Sequence, residues 1–202
     1  MSFILMYPSD LCDLTHCSLQ APVNDQFTII KNVVGYSSDY FTVEQDHIAM
    51  SVNCGSGTSR GSHYPRTEFH GNTAFDSSMN THLEMDVCIM QVPIVKPVVC
   101  WAQIKTANAE MQFLYSRGTL VVRDFNVDHH TMTSYKLGTW VHIRIASFMD
   151  QVHVFLNNAP VLTLTNTFVG GNWKAGCYTQ SNGTIDDPST MSKVGIKNLY
   201  IV

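Results

Sequence analysis

Trp140-Val141-His142-Ile143-Arg144-Ile145-Ala146-Ser147-Phe148, followed after Met149-Asp150 by Gln151-Val152-His153-Val154-Phe155-Leu156, is the stretch whose reading decides the fold. Val141, Ile143 and Ile145 alternate with His142, Arg144 and Ala146, which gives an extended chain one buried face and one wetter face. The second run stops at Asn157-Asn158, a turn signal. The two runs therefore read as antiparallel strands.

Further strand-like runs lie on either side, at Thr28 to Asn32, Ile48 to Asn53, Thr81 to Met90, Val98 to Thr106, Met111 to Tyr115, Thr119 to Arg123, Val161 to Thr165 and Lys193 to Val202. Gly118, Gly138 and Gly170-Gly171 punctuate them. A short helix is expected only near Ser9 to Cys17, and nothing reads as a βαβ unit. No repeat or linker divides the chain. The expectation is one all-β domain over residues 1–202, a jelly-roll sandwich of two antiparallel sheets, one of them concave.

Composition agrees. At 202 residues the chain is long enough for one large core. Only 14% of it is charged and 45% is hydrophobic, which suits strands and turns better than long surface helices. A net charge of −4 argues against a nucleic-acid partner, because such proteins concentrate positive charge. No stretch is apolar enough for a helical membrane span, so no membrane partner is expected.

Among the six cysteines, Cys88, Cys100 and Cys177 lie in apolar strand contexts and read as small core residues. Cys12 and Cys17 can pair if the compartment is oxidising. Of nine histidines, His129 and His130 are adjacent, so that on a strand they would point to opposite faces and not share one ion, while His142 and His153 lie on presumed strands elsewhere. Neither a metal site nor a cofactor is expected.

Three segments carry the chemistry: Arg66-Thr67-Glu68-Phe69, Gln103-Ile104-Lys105 and Lys174-Ala175-Gly176-Cys177-Tyr178-Thr179-Gln180. Each sets polar side chains at alternate positions of a strand. Arg66 then shares a face with Glu68, Gln103 with Lys105, and Lys174 with Gly176, Tyr178 and Gln180. If the strands are neighbours, one face carries an arginine, a carboxamide, two lysines and a phenol, a set suited to gripping an anionic sugar and moving a proton. Singly, each has a plainer reading: Glu68 orienting Arg66 in an ion pair, Gln103 and Lys105 on a solvated face, Lys174 bonded to a loop carbonyl, Tyr178 as a rim aromatic.

In order and spacing, over roughly residues 20 to 202, these motifs resemble those of the alginate lyases of polysaccharide lyase family 7. That family shows R-[ST]-E-L, Q-[IV]-H and Y-F-K-A-G-x-Y-x-Q; this chain has R-T-E-F, Q-I-K and N-W-K-A-G-C-Y-T-Q. Lys105 replaces the family's catalytic histidine, and Asn172 its first tyrosine. A lysine at the first of these positions resembles the viral and molluscan polyuronate lyases of family 14, which share the fold. The resemblance implies a concanavalin-like jelly roll with a substrate groove. It also implies β-elimination on an anionic uronate polymer, alginate, polymannuronate or a glucuronate-containing chain, by a monomer without cofactor.

Elimination removes the weakly acidic C5 proton of a uronate and loads charge onto its carboxylate. Arg66 can hold that carboxylate with a bidentate fork, and the Gln103 amide can donate to it. Tyr178 matches the family's catalytic tyrosine; a phenol is a good acid at neutral pH and a poor base. Lys105 or Lys174 can supply a cation that favours phenolate, or Lys105 can itself be the base if its ammonium is depressed. His63, three residues before Arg66, is a groove candidate that can act as base if Lys105 does not. Glu68, Lys174, Gln180, Arg117 and Arg123 complete the candidate substrate contacts. In β-D-mannuronate and β-D-glucuronate the C5 hydrogen and C4 oxygen leave from one face, so a single tyrosine can serve both. Loss of the histidine base therefore points to such a syn substrate.

Two other function classes stay open. Glu84-Met85-Asp86 is half of the E-x-D-x-x-E pattern of laminarinase-type hydrolases, but its third position is Ile89, and retaining hydrolysis needs two carboxylates about 5 Å apart. A binding module would stack sugars on Trp101, Trp140 or Trp173. The start, Met1-Ser2-Phe3-Ile4-Leu5-Met6-Tyr7-Pro8, lacks a basic n-region and a long apolar run. That fits a domain cut from a longer chain or a virus-borne enzyme acting outside the cell that made it.

Overall fold

A computed structural model gives the fold over residues 17–20, 27–28, 40–58, 62–108 and 110–202, the first two segments as backbone alone. In chain order the strands are β1 (Cys17–Gln20), β2 (Phe27–Thr28), β3 (Phe41–Val43), β4 (Ile48–Asn53), β5 (Arg66–Gly71), β6 (Thr81–Gln91), β7 (Val98–Lys105) and β8 (Glu110–Ser116). They continue as β9 (Thr119–Arg123), β10 (His129–Ser134), β11 (Val141–Phe148), β12 (Gln151–Leu156), β13 (Ala159–Thr165), β14 (Asn172–Thr179) and β15 (Met191–Ile201).

The strands form two sheets, and the named pairings in both are antiparallel. One runs β10-β9-β8-β7-β14-β5-β1-β2 and the other β13-β12-β11-β6-β15-β4-β3. The hairpin read at residues 141–156 is present, with Phe148 opposite Gln151 and Ile143 opposite Leu156. Alternation decides its faces. Val141, Ile143 and Ile145 enter the core, while Arg144 is exposed. Fold class and sheet arrangement agree with the sequence reading.

The core lies between the sheets. Trp101, Ile104, Met111 and Phe113 come from the eight-stranded sheet, and Met50, Leu83, Met85 and Ile89 from the other. Each such side chain contributes about 1.5–3 kcal/mol by leaving water. Trp173 stacks on Phe75 with ring centroids 4.9 Å apart, and its indole N–H donates to Thr81 Oγ1 at 3.1 Å.

Several expectations change. β3 and β10 form where no strand is read. β10 has little apolar alternation to signal it, yet its backbone completes the ladder with β9. Of the run at Thr28 to Asn32 only Thr28 lies within the described residues, and the helix expected near Ser9 to Cys17 lies outside them except for Cys17, which begins β1. The possible Cys12–Cys17 pair is likewise outside them. Cys54, Cys88, Cys100 and Cys177 are free and buried.

Candidate active site

The three motif segments become β5, β14 and β7, side by side in that order. Phe69, Ile104, Trp173, Ala175 and Cys177 face the core. Their alternates are thereby committed to the opposite face of the sheet. The register aligns His70, Lys174, Gln103, Gln112 and Arg123 in one row across five strands. A second row aligns Arg66, Tyr178, Cys100 and Leu114.

Between these rows the β14–β7 register shifts at Ala175 to Tyr178. Gly176 lies in this interval opposite Glu68. A Cβ there would sit 2.4 Å from the Thr67 carbonyl oxygen and 2.6 Å from Glu68 Cα. Only glycine permits that approach of β14 to β5.

Glu68 is fully buried and ties three motif side chains together. Arg66 Nη1 donates to its Oε2 at 3.4 Å, Lys174 Nζ lies 3.9 Å from the same oxygen, and Gln103 Nε2 donates to Oε1. A carboxylate so placed is tolerable only because two cations and an amide surround it. Burial pushes the Lys174 ammonium below its ordinary value, with Glu68 opposing. Glu68 is thus an anchor beneath the groove.

Tyr178 stands against Arg66, whose guanidinium carbon is 3.9 Å from the phenol ring centroid. Ser62 Oγ accepts from Arg66 Nη2 at 2.6 Å, donates to the Tyr64 carbonyl at 2.9 Å and lies 3.5 Å from Tyr178 Oη. Burial raises the phenol's pKa, and the lowering by Arg66 and by the Ser62 contact is the smaller effect. Tyr178 is therefore held as the neutral acid. The cation beside it is Arg66, where the sequence reading looked to Lys105 or Lys174.

A cleft of 360 Å³ opens over this group, lined by Ser62, His63, Arg66, Lys105, Asn108, Glu110, Arg123, Phe125, Val127 and Tyr178. Five candidates from the sequence meet in it: Arg66, Lys105, Tyr178, His63 and Arg123. Gln103, Glu68, Lys174 and Gln180 are buried on the same sheet without lining it. Arg117 is not brought in. It occupies the β8–β9 turn with φ +50°, at the opposite end of β9 from Arg123. Across that five-residue strand the separation is roughly 15 Å.

The cleft also holds residues that no motif named. Glu110 stands opposite Lys105 and accepts from Arg123 Nη2 at 3.1 Å and from Gln112 Nε2 at 2.8 Å. Ser62 and Glu110 had no sequence signal beyond proximity to Arg66 and a short hairpin after Lys105. A larger hollow of 680 Å³ beside Tyr135 and Trp140 contains none of the candidates. Chemistry, not size, selects the site.

The hydrolase reading loses its residues, and the binding-module reading loses two of its three tryptophans. Glu84 and Asp86 lie on β6 of the other sheet, where alternation with core-facing Met85 turns them outward, and Ile89 is in the core. Both contact His142, Asp86 at 2.9 Å and Glu84 at 3.6 Å. Trp101 and Trp173 are buried in the core, so neither can stack on a sugar. Trp140 is half-buried beside the larger hollow, away from the motif residues, with Lys197 Nζ 4.5 Å from its ring centroid.

The family model described as alginate lyase matches residues 12–201. Among solved structures, alginate lyase AlgAT5 from polysaccharide lyase family 7 is 27% identical, with a TM-score of 0.88 over 98% of each chain. The alginate lyase from Corynebacterium sp. is 22% identical, with a TM-score of 0.86 over 98% of each chain. A variant of the family 7 alginate lyase A1-II′, in complex with substrate (GGMG), is 19% identical, with a TM-score of 0.83 over 98% of this chain and 97% of that one. No curated protein matches.

Proposed function

The chain belongs to the alginate lyase family and is a polysaccharide lyase of uronate polymers, and from that premise we propose how its own residues carry out the β-elimination. The carrying observation is the contact of the Arg66 guanidinium with the Tyr178 ring at 3.9 Å, directly above the Glu68 anchor. Arg66 uses Nη1 on Glu68 and Nη2 on Ser62. Its remaining Nη hydrogens are available to a substrate carboxylate, beside the phenol that handles the proton.

In this mechanism Arg66 neutralises and hydrogen-bonds the carboxylate as charge builds after loss of the C5 proton, while Gln103, buried and bonded to Glu68, helps hold the anchor. Arg66 is fixed beforehand by Glu68, which is what makes such stabilisation effective. The phenol oxygen of Tyr178 takes the C5 proton as its own proton passes to the departing glycosidic oxygen, so the phenol is regenerated and no separate base is needed. Lys105, on the cleft wall opposite Glu110, adds positive charge beside the sugar, and Arg123 adds more. His63 also lines the cleft.

The preferred substrate is a syn-eliminating polymer, polymannuronate or a glucuronate-containing chain, because one phenol can serve both C5 hydrogen and C4 oxygen. The related lyase held with GGMG supports reading the cleft as a polyuronate groove. The enzyme is read as a monomer built on one jelly-roll domain. The test is ultraviolet absorbance of unsaturated uronide ends on defined polymannuronate, polyguluronate and polyglucuronate. Preference for polyguluronate would overturn the stereochemical choice and make His63 the candidate base across the ring.

A further inference from the structure

Beyond Tyr178 the same sheet face carries one more row. The Gln180 amide N–H donates to the Val98 carbonyl at 3.1 Å. With Tyr178 opposite Arg66 and Cys100, Gln180 falls one step on, between Val98 and Tyr64. Lys96, in the segment entering β7, reaches Tyr64: its Nζ donates to the phenol oxygen at 3.1 Å and lies 4.6 Å from the ring centroid. Tyr64 in turn has its ring 6.5 Å from that of Tyr178.

This rim is rich in donors, and its nearby carboxylate, Asp186, is taken up by backbone N–H groups and a serine hydroxyl. Gln180 is 7% exposed, and its Nε2 has no hydrogen-bond acceptor. Lys96 has no carboxylate within ion-pair distance of its ammonium among the described residues. Its backbone is nonetheless fixed. The Asp186 carboxylate accepts from the N–H groups of Ile94, Val95 and Lys96 at 2.8, 2.7 and 3.1 Å, and from Ser181 Oγ at 2.7 Å. A cation whose backbone is pinned, on the same rim as a buried amide donor without an acceptor, calls for an anion.

A polyuronate supplies one, because every sugar in it bears a carboxylate. When one carboxylate sits on Arg66, another is presented by a neighbouring residue of the chain. We propose that Lys96, Gln180 and Tyr64 form an outer subsite that binds the carboxylate of a uronate residue next to the one that reacts. The proposal rests on the lyase reading of the cleft. Lys96 supplies the charge, Gln180 the directed donor, and Tyr64 both a hydroxyl and an apolar ring face.

The experiment compares initial rates of wild type, Lys96→Met and Lys96→Arg on oligouronates of increasing length. Wild type should gain in kcat/KM when the oligomer acquires the residue that reaches the subsite. In Lys96→Met that gain should shrink about tenfold, carried by KM, the size of one charge-assisted hydrogen bond. Lys96→Arg should retain most of it, and added salt should bring wild type towards Lys96→Met. An unchanged long-to-short ratio, or an equal loss at every length carried by kcat, would overturn the subsite. If wild type forms no unsaturated uronide from any polyuronate, the lyase reading fails separately. Calorimetric binding of the polymers to wild type and Lys96→Met then decides the subsite, weaker binding by the variant supporting it and equal binding removing it.

Discussion

Arg66 and Tyr178 are cross-strand partners whose side chains stack, guanidinium carbon to ring centroid at 3.9 Å. The contact couples the group that holds the substrate carboxylate to the group that moves the proton. It also sets a contest over the phenol: burial favours the neutral form, Arg66 the phenolate, and burial prevails.

Tyr178→Phe keeps the ring under Arg66 and removes only the oxygen. Turnover should fall by at least about 10²-fold with the fold intact. Because the phenol's pKa lies above its ordinary value, the protonated acid persists as pH rises through about 10 and is lost only beyond it. A decline in kcat at lower pH therefore belongs to another group. Wild-type turnover in Tyr178→Phe, measured by unsaturated-end absorbance, would take Tyr178 out of the mechanism.

Arg66→Ala should damage turnover more than Arg66→Lys, although lysine lacks the fork. Substrate charge separates this from a folding defect. On methyl-esterified polymer, which has no carboxylate to neutralise, dependence on Arg66 should largely disappear. An equal defect on both substrates would mean that Arg66 does not act on the carboxylate.

The face shared by Arg66, Glu68, Gln103, Lys105, Lys174 and Tyr178 was legible because alternation fixes which side chains travel together. Strand order was not, since periodicity says nothing about β14 lying between β5 and β7. Trp173 was readable as core from its place beside Lys174. Trp101 was not: it stands two residues from Gln103 and by alternation belongs in the groove, yet a register shift between Cys100 and Ala102 turns it into the core. Arg117 and Arg123 looked equivalent as nearby cations, but the hairpin puts one at its turn and the other in the cleft.

Glu68→Gln removes the charge that Arg66 and Lys174 share. Leaving buried cations unpaired costs about 3 kcal/mol or more, so the denaturant midpoint should fall and turnover with it, because the fork of Arg66 loses its support. Part of the cost is relieved by Lys174 giving up its proton, which burial already favours. The variant should accordingly regain stability as pH rises towards about 10.4, where an unfolded lysine still binds a proton that the buried one has released. Stability unchanged from wild type at neutral pH would remove Glu68 from its anchoring role.

Lys105 stands where the family carries histidine, and its two possible roles make opposite demands. As a cation beside the substrate it must stay protonated, and Lys105→Arg should keep measurable activity, with the alkaline limit set by Tyr178. As the base it must be neutral to act, and arginine, protonated at any working pH, should abolish turnover while still binding the polymer. The pH profile gives an independent reading, because a base lysine would make activity climb as pH rises through its pKa. The cationic role is expected. Its position opposite Glu110, on a wall shared with Arg123, suits charge on the sugar's flank, while the proton-handling phenol is already paired with Arg66. Complete loss in Lys105→Arg, with unchanged affinity for the polysaccharide and an intact fold, would reverse the assignment and make Lys105 the base.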